Sequence, residues 1–324
     1  MSVLVAGDNE FNQISTSSNK TINQPKLSDI DFTDIISYSI YKVFSVIVLN
    51  SGISCAIGNN TGWPIHSSLP RFIKKWTSFT IIDDEGQDYF VESAVCGLNY
   101  TLYKVRLRSG NSESRLALVQ KGKTKGKPIF LNTGNWIPVS IYGGNLISAA
   151  IDERGAIHVI NNNISNNNYK TNVLFLPNNE LPISVCFCEE HIISLSGQKV
   201  LYEYHLPDLN NDNDLFNRVQ ELNGVFINSI SGTYNHCVVV STSGAVFVRG
   251  LNKNGEIGLG SEQKKTSKFI QLSSLKNYRI QNAFAGCFHS LFVNVNGVIF
   301  SCGINKSGEL LTQKKLGNSI YIPI

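Results

Sequence analysis

Short apolar runs alternate along this chain with polar turns that carry glycine, and that alternation predicts β-strands joined tightly. Two stretches show it best. Cys237 to Val240 and Ser290 to Val293 are rich in Val, Leu and Phe. The turns STSG and NVNG follow, and then the β-rich runs AVFV and VIFS. Each set reads as strand, tight turn, strand, with Gly244 or Gly297 supplying the positive φ of the turn. Gly250 and Gly303 end the second strand, and NKNGE or NKSGE makes a further polar turn. No helix-period pattern appears in either stretch.

The two stretches are copies. Residues 230–259 and 284–311 align without a gap at a constant offset of 53 residues, from His236 to His289 and from Glu256 to Glu309. Asn252 falls on Asn305 and Gly250 on Gly303. Self-similarity at a fixed period of this size is the mark of a repeat architecture. A single small sheet leaves a face unburied, so neighbouring units must stack or close a ring.

The copies resemble the repeat of the regulator of chromosome condensation family. That pattern runs roughly G-x-x-H-(S/T)-x-x-L-x-x-x-G-x-V-(Y/F)-x-(W/C)-G-x-N-x-x-G-(Q/E)-L. Gly286, His289, Ser290, Gly297, Val298, Phe300, Cys302, Gly303, Asn305, Gly308, Glu309 and Leu310 fit it. The resemblance implies an all-β fold, a seven-bladed β-propeller, whose ring is closed by strands from both chain ends. It also implies that His236, His289, Gly244, Gly297, Gly250, Gly303, Asn252 and Asn305 are structural repeat residues.

Weaker copies are read along the rest of the chain. Residues 3–14 form a half repeat with Gly7 and Asn9. Residues 43–60 form a unit with Gly52 and Gly58 six apart, Asn60 matching Asn252, and Phe44 in the histidine position. Residues 96–119 form a third, with Thr101 in the histidine position and a closing residue near Leu107. Residues 142–160 follow, with Ile147 replacing the histidine, and then 185–204, with Gly197 at the turn and His191 near the histidine position. Seven units result, at a spacing of about 50 residues. Ser319 to Ile324 is expected to add the strand that joins the N-terminal half unit. The whole of 1–324 is thus expected to be one propeller domain.

Between units, Trp63 to Phe79 reads as an irregular connection, with an exposed aromatic–basic binding segment as the alternative. Lys121 to Lys127, KGKTKGK, contains a Gly-Lys-Thr triplet. A phosphate-binding loop would need glycine where Ala117 stands and a helix where Pro128 follows, so a solvated loop tip is the better reading.

Composition narrows the class. Of 324 residues, 42% are hydrophobic and 16% charged, enough apolar residue for a packed core. A net charge of +4, with lysines scattered along the chain, is weak support for a nucleic-acid interface. Seven cysteines without regular spacing read as reduced, mostly buried thiols. The first residues, MSVLVAGDNE, turn polar at once, and no apolar run approaches membrane-spanning length. These features predict a cytoplasmic or nuclear protein with no membrane association.

Candidate chemistry is sparse. Cys186, Cys188 and His191 form C-x-C-x-x-H, but in a strand both thiols share one face and read as core, so no metal and no cofactor are expected. No Gly-x-Ser-x-Gly and no His-Glu-x-x-His occurs. The expectation is a monomeric, non-enzymatic protein-interaction scaffold whose variable loops carry the function. The resemblance implies an alternative: a guanine-nucleotide exchange factor for a Ran-like small GTPase. The acidic loops Asp83, Asp84, Glu85, Asp88 and Asp208, Asp212, Asp214 would then meet the partner. Chromatin association is a second alternative.

Overall fold

A computed structural model describes residues 4–8, 21–27, 34–41, 44–61, 64–110, 112–122, 126–161, 171–210, 215–233, 235–260, 262–305 and 309–310. The described residues form strands, turns and short 3-10 segments, with no α-helix among them. The chain divides into two compact units, Met1–Val173 and Leu174–Ile324.

The first unit opens with a two-stranded ribbon, β1 (Leu4–Asp8) and β2 (Thr21–Leu27). A four-stranded sheet follows: β3 (Ile35–Tyr41), β4 (Phe44–Leu49), β5 (Ser54–Asn59) and β6 (Phe72–Phe79). The next has five strands: β7 (Ile81–Ile82), β8 (Asp88–Cys96), β9 (Tyr100–Leu107), β10 (Arg115–Gln120) and β11 (Ile129–Phe130). Then come β12 (Pro138–Gly143), β13 (Ile147–Asp152), β14 (Ile157–Asn161) and β15 (Thr171–Leu174).

The second unit repeats the plan. Its first sheet holds β16 (Pro182–Cys188), β17 (His191–Ser196), β18 (Leu201–His205) and β19 (Asn217–Arg218). The next holds β20 (Ile227–Gly232), β21 (His236–Ser241), β22 (Val246–Leu251) and β23 (Lys265–Gln271). The last holds β24 (Ile280–Ala285), β25 (His289–Asn294) and β26 (Ile299–Gly303). Every sheet is an antiparallel meander, each strand pairing with its neighbour in sequence.

The inner strands of the sheets show why these residues choose this arrangement. β21, HCVVVS, is buried at every position. Val238 and Val240 enter one apolar core with Phe292 and Phe300, while Cys237 and Val239 enter another with Ile193 and Leu195. The period of two sends alternate side chains to opposite faces, and both faces are covered by neighbouring sheets. β10 does the same in the first unit: Ala117 and Val119 face the Tyr103 core, and Leu116 and Leu118 face the Ile160 core.

The turn between second and third strands is shared as well. Gly244 (φ 87°) donates its N–H to Ser241 O at 2.9 Å, and Gly297 (φ 79°) bonds Asn294 O in the same way. In β17–β18 the equivalent residue is Lys199, at φ 64°, bonded to Ser196 O. Gly197 lies two residues earlier in that turn. The left-handed position expected at Gly197 thus belongs to a lysine.

Two other expectations change. Residues 72–79 are not a loop but the outer strand β6, and only 64–71 remain irregular between strands. The residue that closes the third unit is Gln120, paired with Tyr100, and not Leu107, which ends the strand before it. The expected closing strand at 319–324 lies outside the described residues, as do most residues of the half repeat 3–14.

Candidate functional site

Two kinds of polar group are organised by this framework: those buried in the repeats and those at the turns. The repeat groups decide what is left exposed.

His236 opens β21 and is fully buried. Its Nε2 lies 2.8 Å from Ser290 Oγ on β25, in the adjoining sheet. The Ser290 hydroxyl donates to Glu256 O at 2.8 Å, so the imidazole donates to the serine. Burial, and secondarily the nearby His289, pushes the His236 pKa down to about 3, and burial pushes His289 down to about 4. Both rings are neutral at physiological pH.

Asn252 closes the loop after β22. Its Oδ1 accepts Ile257 N at 3.1 Å, and its Nδ2 donates to Gly260 O and Gln263 O at 2.8 and 2.7 Å. Asn60 repeats this after β5, accepting Ile65 N and donating to His66 O and Leu69 O. Asn305 Oδ1 accepts Leu310 N at 3.0 Å. Gly250 (φ 113°) and Gly303 (φ 111°) pair with His236 and His289, as Gly58 pairs with Phe44.

The third unit corrects the expected alignment. Tyr100, not Thr101, occupies the histidine position: Gly97 N donates to Tyr100 O as Gly286 N donates to His289 O. A Cβ at Gly97 would fall inside the Tyr100 ring, just as one at Gly286 would fall inside that of His289. Thr101 corresponds instead to Ser290, and its hydroxyl donates to Pro64 O at 2.7 Å. The signal in the sequence was the glycine three residues before each ring.

Two buried polar pairs gave no sequence signal. His158 Nε2 lies 2.9 Å from Asp152 Oδ2, with Trp136 stacked on the imidazole at 3.7 Å. Arg249, on β22, pairs with Glu203 on β18. Cys186 and Cys188 are buried as expected of core thiols, with Cys186 Sγ 3.7 Å from Cys237 Sγ.

The acidic stretch 83–88 is a turn between β7 and β8. Asp83 Oδ1 accepts Glu85 N and Gln87 N, and its Oδ2 accepts the Tyr89 hydroxyl. Those donors outweigh desolvation and lower the Asp83 pKa. Glu85 accepts from Gln87, and Asp88 pairs with Arg108 at 2.9 Å. Asp84 is 92% exposed and meets Lys127 at 3.4 Å. The structure therefore brings Asp83, Asp84, Glu85 and Asp88 together on one turn. Asp212 and Asp214 lie outside the described residues, as does the Asp208 side chain.

Residues 243–293 match the family model of the "Regulator of chromosome condensation (RCC1) repeat". The chain is 32% identical over 105 residues to "Probable E3 ubiquitin-protein ligase HERC4" of Homo sapiens, covering 32% of this chain and 10% of that protein. It is 37% identical over 84 residues to "Secretion-regulating guanine nucleotide exchange factor" of Bos taurus, covering 26% of this chain and 18% of that protein. The matched segments thus span under a fifth of either relative. The crystal structure of Prp20p from Saccharomyces cerevisiae, described with its binding to Gsp1p and histones, superposes with a TM-score of 0.73 at 14% identity. It covers 100% of this chain and 85% of that one. That likeness shows the fold, an all-β propeller.

Proposed function

We propose that this chain is a divergent member of the regulator of chromosome condensation repeat family and works as a non-catalytic protein-interaction scaffold. One observation carries the reading. The polar side chains of the repeats are consumed by the framework itself: His236 and Ser290 tie adjoining sheets, and Asn60 and Asn252 clamp loops. The chemistry left to meet a partner belongs to the turns, which differ from unit to unit. On this reading residues 1–324 make one monomeric propeller, with β1 and β2 contributing to a seventh blade beside the six larger sheets, and the protein works in the cytoplasm or nucleus. Capture of a defined binding partner by the purified chain, lost when turn residues are exchanged, is the supporting result. A chain that captures nothing specific would remove this reading.

The exchange-factor reading has its own support. One relative is named for guanine-nucleotide exchange, and Prp20p is described with Gsp1p. The turn at Asp83, Asp84, Glu85 and Asp88 is where a GTPase contact would be sought. The test is release of labelled GDP from a panel of purified small GTPases, Ran among them. Acceleration far above intrinsic release, lost in Asp84→Lys, would put exchange ahead of scaffolding. Chromatin association, a further alternative, predicts DNA retention that falls steeply with salt.

A further inference from the structure

Three Asn–Gly pairs occur in the chain: Asn223–Gly224, Asn254–Gly255 and Asn296–Gly297. In such a pair the glycine backbone nitrogen can attack the asparagine side-chain carbonyl carbon, because no Cβ on the glycine obstructs the approach. The attack needs that nitrogen free of an acceptor. It also needs the asparagine ψ to rotate until nitrogen and Cγ meet. Every hydrogen bond that holds these groups opposes the reaction, so the framework's own bonds rank the three pairs.

Two pairs are tied down. Asn254 donates its N–H to Glu256 Oε2 at 2.8 Å and its Nδ2 to Glu256 Oε1 at 2.7 Å. Gly255 is buried, and its N–H donates to Asn252 O at 3.2 Å. Asn296 donates its N–H to Asn294 Oδ1 at 3.0 Å, and Gly297 donates to Asn294 O at 3.0 Å. Val298 N donates to the same Asn294 Oδ1 at 2.8 Å, so the peptide units on both sides of Gly297 are held.

Asn223 differs. It follows the 3-10 turn Gln220–Leu222 and has φ −61° and ψ 129°. Gly224 has φ 81°, and Val225 N donates to Leu222 O at 3.0 Å, which makes a type II turn. Among the described residues, neither Gly224 N nor the Asn223 side chain has a hydrogen-bond partner. Both residues are exposed, and a Cβ at Gly224 would meet nothing within 4 Å. The local restraint on the rotation is the single bond from Val225 to Leu222.

We infer that Asn223 is a site of spontaneous deamidation, with water as co-reactant, and that it reacts ahead of the other two pairs. Gly224 N loses its proton and attacks Asn223 Cγ. The new N–Cγ bond closes a five-membered imide, the Cγ–Nδ2 bond breaks, and the amide leaves as ammonia with that proton. Water then adds to either imide carbonyl and breaks that C–N bond, giving aspartate or isoaspartate. In sum, an amide and a water become a carboxylate and an ammonium ion. The modified turn gains a negative charge two residues from Glu221. In the isoaspartate product the main chain also gains a methylene shortly before β20. The inference does not depend on the scaffold reading.

The test is incubation of the whole folded chain at mildly alkaline pH, with peptide mapping by mass spectrometry that separates asparagine, aspartate and isoaspartate at residues 223, 254 and 296. All three sites are read in the same molecules, so their differences cannot come from misfolding. The expected result is loss of Asn223 about tenfold or more faster than loss of Asn254 or Asn296. In denaturant the three sites should react at similar rates, because the bonds that separate them are gone. Asn223→Gln should abolish the early isoaspartate signal at an unchanged melting temperature. Equal rates in the folded chain, or faster loss at Asn254 or Asn296, would overturn the inference. So would an early isoaspartate signal that persists in Asn223→Gln. A preference for Asn223 that survives in denaturant would overturn it too, since the fold would then not be what selects the site.

Discussion

His236 and Ser290 are 54 positions apart in sequence and 2.8 Å apart in space, and the bond between them joins two sheets. The serine passes the contact on to Glu256 O at 2.8 Å. Ser290→Ala would leave a fully buried imidazole N–H without an acceptor. The expected cost is about 1–3 kcal/mol, read as a lower denaturation midpoint at unchanged slope. Adding His236→Phe to that variant should recover part of the loss, because Phe44 fills the same position in β4 with no polar demand.

The same histidine makes stability depend on pH. Folded His236 binds a proton only near about 3, against 6.5 for the ordinary group. Between those values the unfolded chain holds more protons than the folded one, so stability falls as pH drops below 6.5. By about pH 5 the contribution is about 2 kcal/mol. Denaturant titrations across this range should show a shallower decline in His236→Phe than in the native chain. Equal slopes would mean that His236 is not the responsible group.

Asn252 needs donors as well as an acceptor. Two of its three bonds run from Nδ2 to Gly260 O and Gln263 O. Asn252→Asp keeps the shape but turns those contacts repulsive, so it should destabilise at least as much as Asn252→Ala, by about 2 kcal/mol or more. If Asn252→Asp proved nearly neutral by thermal denaturation, the clamp would not depend on the amide.

Tyr100 makes a second kind of tie. Its hydroxyl lies 3.0 Å from Gly144 O and 2.8 Å from Ile147 O, both in the next sheet. Tyr100→Phe should cost about 1–2 kcal/mol. Gly97→Ala should cost more, since its Cβ would collide with the ring, and the double variant Gly97→Ala with Tyr100→Ala should be less impaired than the sum.

Asp152 serves both a turn and a histidine. Oδ1 accepts Arg154 N and Ala156 N, and Oδ2 meets His158. Asp152→Ala should cost about 3 kcal/mol, because it strips a buried imidazole of its partner and a turn of its acceptor. Asp152→Asn, which still accepts the turn N–H groups, should lose clearly less in the same melt.

These positions also show what could be read from the chain alone. The copies around His236 and His289 were visible because glycine, asparagine and histidine recur there at fixed spacing. Asn60 was matched to Asn252 on spacing, and the loop bonds agree. Thr101 was misassigned because the ring before it is a tyrosine, which hides the match to His289-Ser290. β6 was missed because Lys74 and Lys75 interrupt its apolar alternation, as an outer strand allows. Lys199 was missed because a left-handed lysine leaves no mark in composition. The Asp152–His158 and Arg249–Glu203 pairs depend on contacts across strands and sheets that spacing does not encode.

The position filled by His236 has wider meaning when its occupants are compared. Phe44, Tyr100, Ile147, His191, His236 and His289 begin β4, β9, β13, β17, β21 and β25. What they share is bulk at a crowded junction. The polar link is an optional addition, made by some and omitted by others. A substitution that keeps volume at such a site should therefore be tolerated better than one that empties it. Relatives of this chain that have drifted further should keep the shape of the unit long after its spelling is lost.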